Sequence, residues 1–370
     1  MVKTGCARRF VRAASTVATV ETIPKFPRGS RIFSLIQPTG KIHVGNYLGA
    51  VRNWKQIIDE SPEGVDCIFG TADLHSLTQA PAAGDLLENR YGAMASLLSS
   101  GIDPDKCILF HQSSVPEHSE LYWILTCITS MGALNRMTQW KLKASIDETL
   151  NIYSEQVMGK TKAGILLYPV LQAADVLLYN STHVPVGDDQ SQHLELCRGI
   201  ASSFNHTYGE FFTLPTTILT PTKKILSLRN PEKKMSKSDK DQSSSVYMTD
   251  DADTIARKFR KAVTDSIQGE VTFDPVKRPG VSNLVNIIAG IQNNTIDETV
   301  KNISWMTSHK QLKDYVTEMV VEEFKDKKRL YDSLMEDRAN LDAICRRGAD
   351  RAREIASRNL EQVKKQVGLS

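Results

Sequence analysis

Apolar residues along the chain come in short runs, and these runs alternate with stretches of helical period. Ile32-Phe33-Ser34-Leu35-Ile36 has the length of a buried strand. Gln37-Pro38-Thr39-Gly40 breaks the run with turn residues, after which Val44, Leu48, Val51 and Ile58 return on one helical face. Val65 to Gly70 and Lys106 to Phe110 read as further strands, with a helix over Asp85–Ser99 between them and another over Glu117–Ile128. Lys141 to Met158 is polar and weakly patterned, predicting helix and loop over a sheet. Ile165–Tyr179 is predicted helical despite Pro169, His183–Gly187 is predicted as the last strand, and Asp188–Ser203 as a helix. Pro215, Pro221 and a basic loop from Lys223 to Lys240 follow, and from Asp250 onward the pattern is helical. Strands alternating with helices predict an α/β fold with a Rossmann-like parallel sheet and right-handed crossovers, followed by an all-helical C-terminal domain.

At 370 residues the chain has room for two such domains. The expected divisions are a leader over 1–29, a catalytic domain over 30–240 and a helical domain over 241–370. Charge changes the picture only at the leader. Residues 1–30 hold six basic groups against the single acid Glu21, and the remainder is nearly neutral with 40 basic and 42 acidic residues. Any nucleic-acid surface must therefore be a local patch. The leader is Arg-rich, Ser/Thr-rich and lacks a long apolar core, the composition of a mitochondrial targeting peptide, although a disordered basic tail has the same composition. No apolar segment approaches the ~18 residues of a membrane span. The six cysteines form no C-x-x-C pair, so neither a disulfide framework nor a structural metal is expected, and a reducing compartment fits.

Three groups of residues could carry chemistry. His43, Gly45 and Asn46 fall in the first turn of the helix after the opening strand. Unpaired N–H groups and a partial positive charge suit phosphate there, although an ordinary capped helix start looks the same. Lys233-Lys234-Met235-Ser236-Lys237-Ser238 would suit closure over a polyphosphate, or could be a solvated basic loop. Asp175 lies in an apolar helix between Ala174 and Val176, where a carboxylate must be paired or must accept a hydrogen bond from a mostly apolar ligand.

Together these segments resemble the tryptophanyl-tRNA synthetases, class I enzymes of the tyrosyl/tryptophanyl subgroup, from about Arg31 to the C-terminus. His43-Val44-Gly45-Asn46 resembles the HIGH motif, and Lys234-Met235-Ser236-Lys237-Ser238 matches KMSKS. Tyr168 to Asp175 resembles the tryptophan-binding helix, and Ser181 to Gln190 the strand and turn that hold adenosine. The resemblance implies activation of L-tryptophan with ATP and Mg²⁺ and its transfer to tRNA(Trp) by a homodimer, here in the mitochondrial matrix. It makes His43, Asn46, Lys234 and Lys237 catalytic. Gln37, Pro38, Thr39, Gly45, Lys143, Gly187, Asp188, Asp189, Gln190, Ile225, Met235, Ser236 and Ser238 join them around ATP. Asp175 is expected to take the indole N–H as its only donor, with Phe33, His75, Tyr168, Gln172 and Val184 around the ring. Two residues depart from the family pattern. Leu35 replaces a common Gly and narrows the turn, and Gln172 replaces a common Met and makes the pocket more polar. Arg257, Lys258, Arg260, Lys261, Arg346, Arg347, Arg351 and Arg353 are the basic groups of a tail that, by resemblance, reads the anticodon. A tyrosyl-tRNA synthetase or a non-catalytic RNA-binding relative would share the fold.

Overall fold

Apolar runs that occupy both faces of a strand demand cover on both sides. In the computed structural model, Ile32, Cys67, Phe69 and Leu109 enter one core, while Phe33, Ile68, Ile108 and Phe110 enter the other. The structure describes residues 24–144, 146, 154–159, 161–187, 190–219, 225–237, 239–267 and 269–370, with the backbone of 17–19.

Six strands form one parallel sheet: β1 (Val17–Thr19), β2 (Arg31–Ile36), β3 (Asp66–Thr71), β4 (Ile108–His111), β5 (His183–Val186) and β6 (Thr216–Leu219), in the order β1-β6-β5-β2-β3-β4. The chain winds outward from β2 through β3 to β4, then returns to the other side of β2 with β5. The winding direction therefore reverses between β2 and β5, and an open α/β sheet binds ligands at the carboxyl ends of such a pair. There the ladder is weak. The register pairs Ile32 with His183, and Pro185, which has no N–H, is held instead by a 3.1 Å hydrogen bond from Ser34 Oγ to its carbonyl.

His183–Gly187 is not the last strand. β6 lies beyond it, directly after Pro215, whose turn character conceals so short a strand. β1 lies inside the basic leader, where composition predicts no strand.

The helix that opens at Val44 runs on to Glu60 with one change of hydrogen-bond register: α1 (Val44–Asn46) passes through a π turn at Tyr47–Val51 into α2 (Arg52–Glu60). α3 (Asp73–Ser76) and α4 (Ala83–Ser99) follow β3, and α5 (Glu117–Ile128), α6 (Met131–Asn135), α7 (Gln139–Lys143) and α8 (Glu155–Met158) follow β4. α9 (Ala163–Leu178) carries Pro169 in its interior, and α10 (Ser191–Tyr208) joins β5 to β6. The tail holds α11 (Ala252–Arg260), α12 (Pro279–Gln292), α13 (Ile296–Asn302), α14 (His309–Glu336) and α15 (Arg338–Val367). Among the described residues no helix is long and apolar enough to cross a membrane.

The tail is built onto the sheet. One core joins Val44, Trp54 and Met235 to Leu284, Val316 and Leu341, and the other joins Phe33 and Val170 to Ala352 and Leu360. α15 covers the edge strand β4 at a place where only glycine fits, since a Cβ on Gly348 would lie 1.8 Å from the Leu109 carbonyl oxygen. Backbone cannot yield cheaply there. Gly348→Ala is expected to cost roughly 3 kcal/mol, read as a lowered thermal midpoint, and an unchanged midpoint would show that α15 can lift from the strand.

Candidate active site

Asp175 sits on α9 with Ala173, Ala174 and Val176, all buried. Its carboxylate oxygens are already met by three side chains. Oδ2 lies 2.8 Å from His75 Nε2, while Oδ1 accepts from Gln112 Nε2 at 2.6 Å and lies 2.7 Å from His118 Nδ1. A carboxylate accepts only, so both imidazoles donate to it. His118 Nε2, at 2.9 Å from the Tyr179 hydroxyl, then receives that proton donor. Burial alone would raise the acid's pKa, but the hydrogen bonds from His118 and His75 outweigh it and hold the carboxyl at about 2.

An indole N–H is therefore not the only donor Asp175 can have. Helix α3, the turn after β4 and α5 each bring it one. Gln112, His118 and Tyr179 were not foreseen, although His118 left a trace. It falls on the buried face of α5 with Leu121 and Leu125, where a polar side chain must have a partner.

Above Asp175 opens a cavity of about 320 Å³, at the small end of ligand pockets. Phe33, His75, Tyr168, Gln172 and Val184 line it. Phe33 stacks on Tyr179 with ring centroids 5.3 Å apart. Leu35 also borders the cavity. Gln172 adds a polar wall, donating to Gln190 Oε1 at 3.2 Å, and the same oxygen lies 3.1 Å from His193 Nδ1. Lys143 also reaches the cavity, its ammonium 4.0 Å from the centre of the Tyr168 ring and its pKa lowered by burial.

The far end of the cavity is bordered by Gln37 and Asn46. Pro38 is buried, and Thr39 is exposed on a tight turn closed by its own N–H to Gln37 O at 2.9 Å. His43 caps the helix, with Nδ1 accepting the Asn46 N–H at 3.2 Å. Burial first, then Lys237 and Lys234, push this imidazole down to about 3, so it is neutral. Its proton is on Nε2, leaving that nitrogen a donor. A Cβ on Gly45 would come within 3.1 Å of the His43 ring and 3.4 Å of Ile225 Cβ, so glycine lets these two approach the helix start.

The lysine loop reaches the same turn across 198 residues: Lys237 Nζ donates to Thr39 Oγ1 at 2.7 Å and to Thr39 O at 3.2 Å. Burial lowers its pKa to about 8. Met235 and Ile225 do not face the cavity. Both are buried, with the Met235 N–H bonded to Ile225 O at 3.0 Å, and they root the loop in the core. Lys234 and Ser236 are exposed, and the Ser236 carbonyl accepts from Ser245 Oγ at 3.2 Å. Gly187 borders a smaller adjoining cavity of about 130 Å³ with Trp54 and Gln190. Asp188, Asp189 and Ser238 lie outside the described residues.

The chain is similar to known proteins in sequence and in fold. Residues 27–325 match the family described as class I tRNA synthetases (W and Y). The mitochondrial tryptophan–tRNA ligase of Saccharomyces cerevisiae is 47% identical over 91% of this chain and 90% of its own length. The tryptophanyl-tRNA synthetase of Mycoplasma pneumoniae superposes with a TM-score of 0.79 at 30% identity, covering 92% of this chain and 98% of the other. That of Campylobacter jejuni, solved with ADP and tryptophan, gives 0.75 at 31% identity over 92% and 100% of the two chains. The match to the family model over residues 27–325, together with relatives of 47% and 30% identity that cover nine-tenths or more of the chain, shows the family to which this chain belongs: the class I aminoacyl-tRNA synthetases, in the tryptophanyl branch of mitochondrial type.

Proposed function

We propose that this synthetase activates L-tryptophan with ATP and charges tRNA(Trp) for translation in the mitochondrial matrix. One observation carries the reading: the cavity is lined by both the charged carboxylate of Asp175 and Gln37, and Lys237 rests on Thr39 in the turn that Gln37 opens. An oxygen of the tryptophan carboxylate attacks the α-phosphorus, the bond to the bridging oxygen breaks, and pyrophosphate leaves with Mg²⁺. A hydroxyl of the terminal tRNA adenosine then attacks the adenylate carbonyl and AMP departs.

No covalent enzyme intermediate is needed, so catalysis is positioning and charge stabilisation. His43 Nε2–H, Asn46, Lys234 and Lys237 stabilise charge on the phosphates, and Gln37, Thr39 and Gly45 line their path. Lys143 needs only to leave the Tyr168 face to join them. Gly187 and Gln190, with Asp188 and Asp189, hold the adenosine. Asp175 Oδ1 is taken by Gln112 and His118, so Oδ2 receives the indole N–H, beside His75. Pyrophosphate exchange dependent on tryptophan and not on tyrosine is the expected result. Exchange with tyrosine would move the chain to the sister branch.

Residues 1–29 are proposed as the targeting peptide, 30–240 as the catalytic domain and 241–370 as the anticodon-reading tail of a homodimer. Not every basic residue in that tail is available to RNA. Lys258 is buried against Asp250 at 2.6 Å, Arg351 donates to Cys107 O at 2.9 Å, and Arg353 lies 3.7 Å from Glu117. Lys258 and Arg351 brace the fold, while Arg353 stays half-exposed. Arg260 and Lys310 line a groove of about 590 Å³ between α11 and α14, and Arg257 and Lys261 stay exposed on α11 and just after it. With about four phosphates neutralised there, log affinity for tRNA should fall with log salt at a slope of roughly −3. Arg351→Ala should leave that slope unchanged, and a reduced slope would return Arg351 to the RNA face.

A further inference from the structure

An asparagine in the buried interior of a helix must find partners for its amide. Asn283 of α12 is 1% exposed and is flanked by the buried Ser282, Leu284 and Val285. Both its polar atoms go to one residue of another segment. Asn283 Oδ1 accepts the Leu226 N–H at 2.7 Å, and Asn283 Nδ2 donates to the Leu226 carbonyl at 2.9 Å.

Leu226 is the root of the lysine loop. It forms an antiparallel bridge with Lys234, with Ile225 O accepting from Met235 N and Ser227 N donating to Lys233 O at 2.8 Å. In such a pair alternate residues turn their N–H and C=O outward. At Leu226 the outward groups meet the Asn283 carboxamide, which stands in for a third strand.

The other end of α12 holds the helix that starts at His43. Arg52 Nη1 donates to Ile291 O at 2.9 Å and also to Gly290 O, and a Cβ on Gly290 would lie 2.8 Å from Leu48 Cδ1. Asn283 and Gly290 are about 10 Å apart along a rigid helix.

We infer that Asn283 is a positioning residue: through α12 it fixes the root of the Lys234–Lys237 loop relative to the His43 helix, so that Lys237 arrives at Thr39 with the geometry adenylate formation needs. The inference rests on the activation chemistry proposed above. Asn283 touches no substrate and acts only through the loop.

The test is pyrophosphate exchange by the full-length protein, with tryptophan affinity measured separately by calorimetry. Asn283→Ala should lower kcat about 10- to 100-fold, as small misplacements of charge do, with KM and Kd for tryptophan within about twofold. Asn283→Asp keeps the acceptor for the Leu226 N–H but loses the donor, and should fall between the two. It also provides the reading if the alanine variant does not fold. In a Lys237→Ala background, Asn283→Ala should cost little more, because the group it positions is gone. Unchanged kcat in a folded variant would overturn the inference. So would a loss that multiplies fully with Lys237→Ala, or a parallel rise in tryptophan KM. If the unaltered protein shows no tryptophan-dependent exchange, the activation reading itself fails, and that outcome is distinct from all of these.

Discussion

Asp175→Ala is expected to lower tryptophan-dependent pyrophosphate exchange by about 100- to 1,000-fold while ATP binding is kept. Two losses combine. The indole N–H has no acceptor, and the Gln112 amide and the two imidazoles that met the carboxylate at 2.6–2.8 Å are left buried with unmet donors. Thr39 and Lys237, proposed to meet the nucleotide, do not touch Asp175, so ATP affinity should not move. The specific signature is discrimination. A tryptophan analogue with sulfur in place of the indole nitrogen should be rejected by the unaltered enzyme, because it has no proton to donate and sets the sulfur lone pairs against a charged carboxylate. Asp175→Ala should lose most of that preference. A variant that still prefers tryptophan strongly would mean that another group reads the indole nitrogen.

Lys237→Ala is expected to lower kcat about 100- to 1,000-fold, the usual loss for one donor aimed at developing charge, with KM for tryptophan nearly unchanged. A pure rise in KM would deny it a transition-state role. The pH dependence tests the same assignment. Burial puts the Lys237 ammonium at about 8 in the free protein, and a triphosphate beside it favours the charged form. Below about pH 7 the amine is already protonated, and binding moves no proton. Above about pH 8 the free amine must take one up, so ATP affinity should weaken by up to tenfold per pH unit. Calorimetry in buffers of different ionisation enthalpy reads this uptake directly. Lys237→Ala should abolish it, and a variant that keeps the uptake would place the titrating group elsewhere.

How much of the site was legible followed from how local each signal was. The turn at Gln37–Gly40 and the helix start at His43–Asn46 are contiguous, and both lie where the spacing of apolar residues puts them. Asp175 was visible because a lone acid within an apolar helix cannot go unpartnered. Its actual partners could not be read, since Gln112 and His118 are brought to it from 63 and 57 residues away. Met235 was misplaced for a similar reason. Within a motif it looks like part of the ligand site, but its thioether is buried beside Ile225 and serves the loop's root. The partners of Lys258 and Arg351 could not be read either, because a charge in sequence does not reveal whether a carboxylate or carbonyl of another element will claim it.

The sequence alone determined the alternation of strand and helix, hence a parallel sheet covered on both faces. It also determined the two signature segments, because backbone geometry and residue type within a few positions are local properties. Only the tertiary structure decided that Lys237 meets Thr39, that three side chains meet the Asp175 carboxylate, and that α12 holds both Leu226 at the root of the lysine loop and Arg52 on the helix that follows His43. These are contacts between residues dozens to hundreds of positions apart, and chain-wide packing selects them where no local preference can.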